Sequence, residues 1–217
     1  VYALIALGYT MVYGIAKMLN FAHGDVIMIG SYVVYFAFGA SGLNPVLSIV
    51  LSMIVCTILG VVIERLAYRP LREAPSLAVL ITAIGVSYLL QQVAQLSWSS
   101  NPKSFTSVVS GMKPVSLFGG QLTISAETIV TIVACVVIMV VLMWFVNYTP
   151  AGHAMLAVSE DRGAAQLMGV NVNGTISLTF AIGSALAAIA GALLCSSYPT
   201  LQPTTGAMTG IKAFVAA

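Results

Sequence analysis

Charge is what this chain has least of. Its 217 residues include eight Lys and Arg and six Asp and Glu, 6% of the total, against 59% hydrophobic residues. A water-soluble domain carries about a quarter charged residues. A folded surface this poor in charge excludes an aqueous protein and makes lipid the solvent. Cysteine is scarce too: Cys56, Cys135 and Cys195 lie singly in apolar runs, with no CxxC or Cys/His spacing. They read as small buried hydrophobes rather than disulfide or metal ligands. Catalytic signatures are missing, with no HExxH, GxSxG or GxxxxGK[ST] and no two carboxylates inside one apolar run. A net charge of +2 carries no message about nucleic acid.

Long apolar runs are what the chain does have. They occupy 1–18, 26–40, 46–63, 77–97, 126–146 and 175–197, near the ~20 residues that cross a bilayer core as a helix. The second reaches that length only if its start is taken back to Phe21. The fold expected is an all-α polytopic transmembrane bundle of about six spans, forming one domain over residues 1–217. The charges cluster between the runs, most densely at Glu64, Arg65, Arg69, Arg72 and Glu73. Three arginines so close to a helix end put loops 64–76 and 147–174 in the cytoplasm and 98–125 outside. Trp98, Trp144 and Tyr148 fall at run ends, where interfacial aromatics belong. The outer loop has prolines, a Gly119–Gly120 pair and short alternating stretches, which suggest a small hairpin. Residues 1–18 lack the basic start and cleavage site of a leader. The opening at Val1 and the apolar close at Ala217 give the expectation of a fragment.

Four places hold residues with a possible role. In the last long run Gly183, Ala187 and Gly191 recur every four residues, a spacing that lets helix backbones approach closely in lipid. Near the start, two apolar runs meet at Asn20, His23, Gly24 and Asp25. Gly24 can break the helix and Asp25 can cap the next one. A discontinuous helix bordering a solute path and an ordinary tight turn both fit these residues. Gln91, Gln92 and Gln95 form a patch that reads as interfacial, while Thr82 and Ser87 are expected to bond carbonyls one turn back. Finally, the polar insert Thr149–Gly174 reads as containing a short helix from Glu160 to Met168. Ser159 is placed to cap it, Glu160 and Asp161 sit where the helix dipole favours negative charge, and Gly169 supplies a left-handed stop with Val170 packing back. His153, beside Gly152, reads as structural.

With these segments in hand, the chain resembles a known family. NFAHGDVIMIGSYV, ERLAYRPLR with LAVLITAIGVSYLLQ, and AGHAMLAVSEDRGAAQLMGVNVN with SLTFAIGSALAAIAGALL are similar, in order and spacing, to the permease subunits of branched-chain amino acid ABC transporters, in particular the LivH type. The resemblance implies a non-catalytic membrane subunit, needing no cofactor or metal, in a bacterial inner membrane. It implies a path for Leu, Ile or Val, and as partners a second permease, two ABC ATPase subunits and an extracytoplasmic solute-binding protein. Relatives in the same superfamily carry urea, amides or other small amino acids. It also implies that a cytoplasmic helix with a loose Glu-Ala-Ala…Gly signature docks on the ATPase. Here Ala164, Ala165 and Gly169 fit the end of that pattern, Glu160 stands four residues ahead of Ala164, and Gly163 interrupts. Glu160, Asp161, Arg162, Ala164, Ala165 and Gly169 are the expected coupling residues. By the same resemblance the Asn20–Asp25 break borders the path. The rival class is an ion-coupled carrier using His23 and Asp25, against which stands the lack of charge inside the later runs. A membrane enzyme is a weaker third.

Overall fold

Lipid leaves every backbone N–H and C=O to be satisfied within its own segment, so apolar runs of this length become helices. The computed structural model describes residues 1–72, 74–109, 115–117 and 122–216. The helices are α1 (Tyr2–Ala16), α2 (His23–Val34), α3 (Pro45–Ile63), α4 (Ser76–Trp98), α5 (Ala126–Tyr148), α6 (Pro150–Glu160), α7 (Arg162–Leu167), α8 (Val172–Ser197) and α9 (Thr205–Ala216). A wider π-helical stretch, Tyr35–Ala40, extends α2, and α3 runs on through similar turns to Leu71. Asn44 starts α3 by accepting the Val46 N–H at 3.0 Å, with Pro45 at the first helical position.

Four of these helices are long and apolar enough to cross a membrane: Pro45–Leu71, Ser76–Trp98, Ala126–Tyr148 and Val172–Ser197. The first expected span is a helix of 15 residues, shorter than a full crossing; the second is α2 with its π-helical extension, His23 to Ala40, and the non-helical residues 17–22 lie between them. The hairpin expected in the 98–125 loop is present as β2 (Val115–Leu117) against β3 (Leu122–Ile124), antiparallel with Val115 opposite Ile124. Its Gly119–Gly120 pair, like Glu73 and Lys113, lies outside the described residues. A second two-stranded pairing joins β1 (Lys103–Ser104) to β4 (Thr200–Leu201) and so ties this loop to the end of α8.

The bundle is organised around α8. Its most apolar stretch is 72% buried, against 6% for α5, most of whose side chains face outward. α8 packs most extensively on α3, then on α2 and α1. The small-residue stripe lies on this buried face. A Cβ at Gly183 would stand 2.6 Å from Val12 on α1, and one at Gly191 would stand 2.5 Å from the Ile27 carbonyl on α2. Ala187 between them is fully enclosed. Side chains of nearly zero size are therefore what allows α1 and α2 to lie against the same helix.

Gly191→Val tests this packing. Since the atom in the way is backbone, α2 must shift, and the folded state should lose about 3 kcal/mol. A denaturant titration of the detergent-solubilised protein reads that loss as a lower midpoint.

Candidate functional site

α1 ends at Ala16 because Lys17 turns left-handed (φ 51°), its N–H closing on the Tyr13 carbonyl. The chain then crosses without helix to Ala22 and re-enters one at His23. The interruption therefore precedes Gly24 rather than falling on it. The amide N–H groups of His23 and Asp25 bond to the Asn20 and Ala22 carbonyls, so Gly24 is already helical. What Gly24 supplies is proximity: a Cβ there would stand 3.1 Å from Gly210 Cα on α9 and closer still to the Gly206 carbonyl. Asp25 is likewise a residue of the first turn of α2 and not its cap, which is Ala22 with no side-chain bond.

The four predicted residues come together with others that sequence reasoning missed or misread. Asn20 Oδ1 accepts from the Tyr68 hydroxyl at 2.9 Å, bringing in the end of α3. The His23 ring meets Tyr9 of α1 edge-on at 6.0 Å. Asp25, with no exposed surface, accepts through Oδ1 from Gln91 Nε2 at 2.9 Å, and the same amide nitrogen reaches Ser87 Oγ at 3.2 Å. Gln91 is thus a bundle residue and not part of an interfacial patch, and Ser87 is tied to it rather than to a carbonyl. The available signal was the one-turn spacing of Ser87 and Gln91 inside an apolar helix, where polar side chains turn to the bundle interior. Trp98, expected at an interface, stacks on buried Tyr32 at 4.5 Å and makes a second tie between α4 and α2.

Among the described residues, the buried side-chain polar atoms without a hydrogen-bond partner are Tyr9 Oη, His23 Nε2, Asp25 Oδ2, Tyr32 Oη and Arg72 Nε. All but the last belong to α1 and α2. Such an atom costs about 1–3 kcal/mol, and a folded protein keeps few of them. Four of these five atoms thus sit on the two helices that flank the non-helical residues 17–22.

The polar insert folds as two helices where one was expected. α6 is capped by Thr149, whose Oγ1 accepts the Gly152 N–H at 3.0 Å, and it ends on Glu160. Asp161, not Ser159, caps α7, with Oδ1 accepting from the amides of Gly163 at 2.7 Å and Ala164 at 3.0 Å. Ser159 instead donates to the Leu156 carbonyl within α6. The reason is spacing: both are good caps, but the extended backbone at Asp161 places its carboxylate on the first free amides of α7. The stop is where it was expected. Gly169 is left-handed (φ 84°), and the N–H groups of Gly169 and Val170 return to the Gln166 and Ala165 carbonyls. Ala165 faces the core, whereas Ala164 is exposed and Leu167 and Met168 are 90% and 84% exposed. His153 uses its ring Nδ1 locally, against the Thr149 carbonyl.

Two polar links tie this insert and its neighbours to the bundle. Arg162 donates to the carbonyl of Ala16, the last residue of α1. Arg72 pairs with fully buried Glu64 and also donates to Asn173, while Glu64 accepts from Ser177 Oγ at 2.6 Å. The end of α3 is thereby bound to the start of α8.

A family model described as "Branched-chain amino acid transport system / permease component" matches residues 1–217. Relatives include the high-affinity branched-chain amino acid transport system permease protein BraD of Pseudomonas aeruginosa, 43% identical over all of this chain and 73% of its own length. LivH of Escherichia coli K12, with the same description, is 40% identical at the same coverage. A probable LivH of Methanocaldococcus jannaschii is 30% identical over 98% of this chain and 68% of its own length. No solved structure matches.

Removing one partner of the buried pair should be costly. Arg72→Ala leaves the Glu64 carboxylate enclosed and unpaired and should lower stability by about 3–5 kcal/mol. Replacing both, by Glu64→Gln with Arg72→Met, should restore most of it; chemical denaturation of the two variants compares them.

Proposed function

The chain belongs to the branched-chain amino acid permease family, and from that premise we propose that the α1–α2 break borders the solute path while α7 receives the drive. The protein is the transmembrane permease subunit of an ABC importer for branched-chain amino acids, a multi-pass protein of the inner membrane. The finer reading is that it works with a second permease, two ATPase subunits and an extracytoplasmic solute-binding protein, with α7 on the cytoplasmic side. Asn20, His23, Gly24 and Asp25, joined by Tyr9 and Gln91, form the polar border of the path. The stripe of Gly183, Ala187 and Gly191 is the packing surface on which α1 and α2 bear.

One observation carries this reading: Arg162, the first residue of α7, holds the last carbonyl of α1, immediately before the break. Movement of α7 is therefore delivered to the helix end beside the buried polar atoms. The family's expected docking contact at Ala165 needs revision on this geometry, since that methyl points inward. The face available to an ATPase is Ala164, Leu167 and Met168. Glu160, Asp161 and Gly169 set the helix's ends rather than its contact.

Leu167→Glu with Met168→Glu should leave the chain inserted and abolish co-purification of ATP-binding subunits, whereas Ala165→Glu should lower stability first. Unchanged co-purification of the double variant removes α7 from the docking role. In vesicles holding the full complex, leucine uptake should require ATP; uptake on an ion gradient alone would replace this reading with an ion-coupled carrier.

A further inference from the structure

A recess of about 330 Å³ lies between the end of α1, the residues that open the break, the turn after α3 and the first turn of α4. Lys17, Arg72 and Arg162 line it, together with the apolar side chains of Met18, Leu71 and Val79. No carboxylate lines it among the described residues. Among the described residues its positive charge is also under-compensated. Arg72 has Glu64, but its Nε is buried without a partner. Arg162 bonds to a neutral carbonyl, and Lys17 makes no ion pair among the described residues. Asp161, the nearest acid in sequence to Arg162, directs Oδ1 to the amides of α7. Burial, and after it the charge of Arg72, holds the Arg162 guanidinium below its ordinary pKa. An anion entering the recess would offset the Arg72 repulsion and favour the charged guanidinium.

We propose that this recess is an inner waiting site for the transported amino acid, with Lys17, Arg162 and Arg72 taking its carboxylate, the hydroxyl residues Tyr13 and Ser76 its ammonium, and Met18, Leu71 and Val79 its aliphatic side chain. The proposal rests on the functional reading above, including its orientation. The volume accommodates one such molecule, and the mixture of cations with an apolar wall suits a carboxylate carrying a short hydrocarbon chain better than inorganic phosphate. Residues 18 and 19 of the break form part of the wall, so the site adjoins the proposed path. Cargo leaving the path would pause there, and cargo accumulated in the cytoplasm would refill it and hold back the next cycle.

The experiment uses the assembled full-length transporter in vesicles, with its ATPases facing the bath and the binding protein and labelled leucine inside. ATP in the bath drives leucine outward. Two probes are then added to the bath: 4-methylpentanoate, which keeps the carboxylate and the side chain, and 3-methylbutylamine, which keeps the ammonium and the side chain. The carboxylate should slow transport and the amine at equal concentration should not. Lys17→Glu should raise the inhibitory concentration of 4-methylpentanoate about tenfold or more, and Lys17→Gln should raise it less. Equal inhibition by the amine would overturn the proposal, as would an unchanged inhibitory concentration in both Lys17 variants. So would inhibition that follows the phosphatidylglycerol content of the vesicles instead of the probe, which would make the recess a lipid-phosphate site. If Lys17→Glu does not assemble, Lys17→Gln decides alone. Failure of the unmodified complex to move leucine on ATP would count against the functional reading itself.

Discussion

Close approach of α1, α2 and α3 to α8 is the contact on which the rest of this bundle depends. In water, helices associate because their apolar faces leave solvent. In lipid that drive is absent, and association comes from packing and from the few polar bonds between helices. α8 meets the requirement with glycine, alanine and serine where its neighbours cross it, and it is accordingly the most enclosed of the long helices. α5 is at the other extreme: its apolar side chains are large and mostly exposed, as suits a helix that contacts lipid. Once α1 and α2 are both registered on α8, the interval between them is fixed as well. The non-helical residues 17–22 are then held in place by two anchored helices.

That anchoring explains how the bundle tolerates polar atoms that satisfy nothing. Tyr9, His23, Asp25 and Tyr32 each keep an unpartnered atom in the interior. Left to local energetics, such groups would rotate toward a partner or draw the chain apart. Here α9 closes on α2 through facing glycines at Gly24, Gly206 and Gly210. Gln91 and the Tyr32–Trp98 stack secure α4 on the other flank. The local cost is therefore carried by contacts on three sides.

Features that depend on one segment at a time were legible in the sequence. The apolar runs, the small-residue stripe, the hairpin of the 98–125 loop and the left-handed stop at Gly169 each follow from composition or spacing within a single stretch. What escaped depends on distant partners or on close competition. Gln91 and Asp25 are 66 residues apart, and only the packing of α4 on α2 brings them together. Ser159 and Asp161 are both sound caps two residues apart, and the extended backbone at Asp161 decides between them. Gly24 resembles a helix breaker in sequence because glycine has two uses in membrane helices, flexibility and proximity. The pattern alone does not distinguish them, and the second is the one used.

The two ends of the proposed mechanism are joined by few bonds, and that scarcity has a physical meaning. α7 is a short rigid body, fixed at its start by Asp161 and at its close by Gly169, with Ala165 seated in the core. A push on its exposed Leu167–Met168 end can therefore be absorbed little by bending. Its polar outlet toward α1 is the Arg162 bond to the Ala16 carbonyl, at a helix end where Lys17 already leaves the regular path. A charge-assisted bond to a free terminal carbonyl is strong enough to transmit displacement, and it breaks no hydrogen bond of α1 when it moves. On the proposed role of α7, coupling at this point would shift the break without unravelling either helix. An importer whose path runs along such a break needs that separation between transmitted motion and preserved backbone bonding.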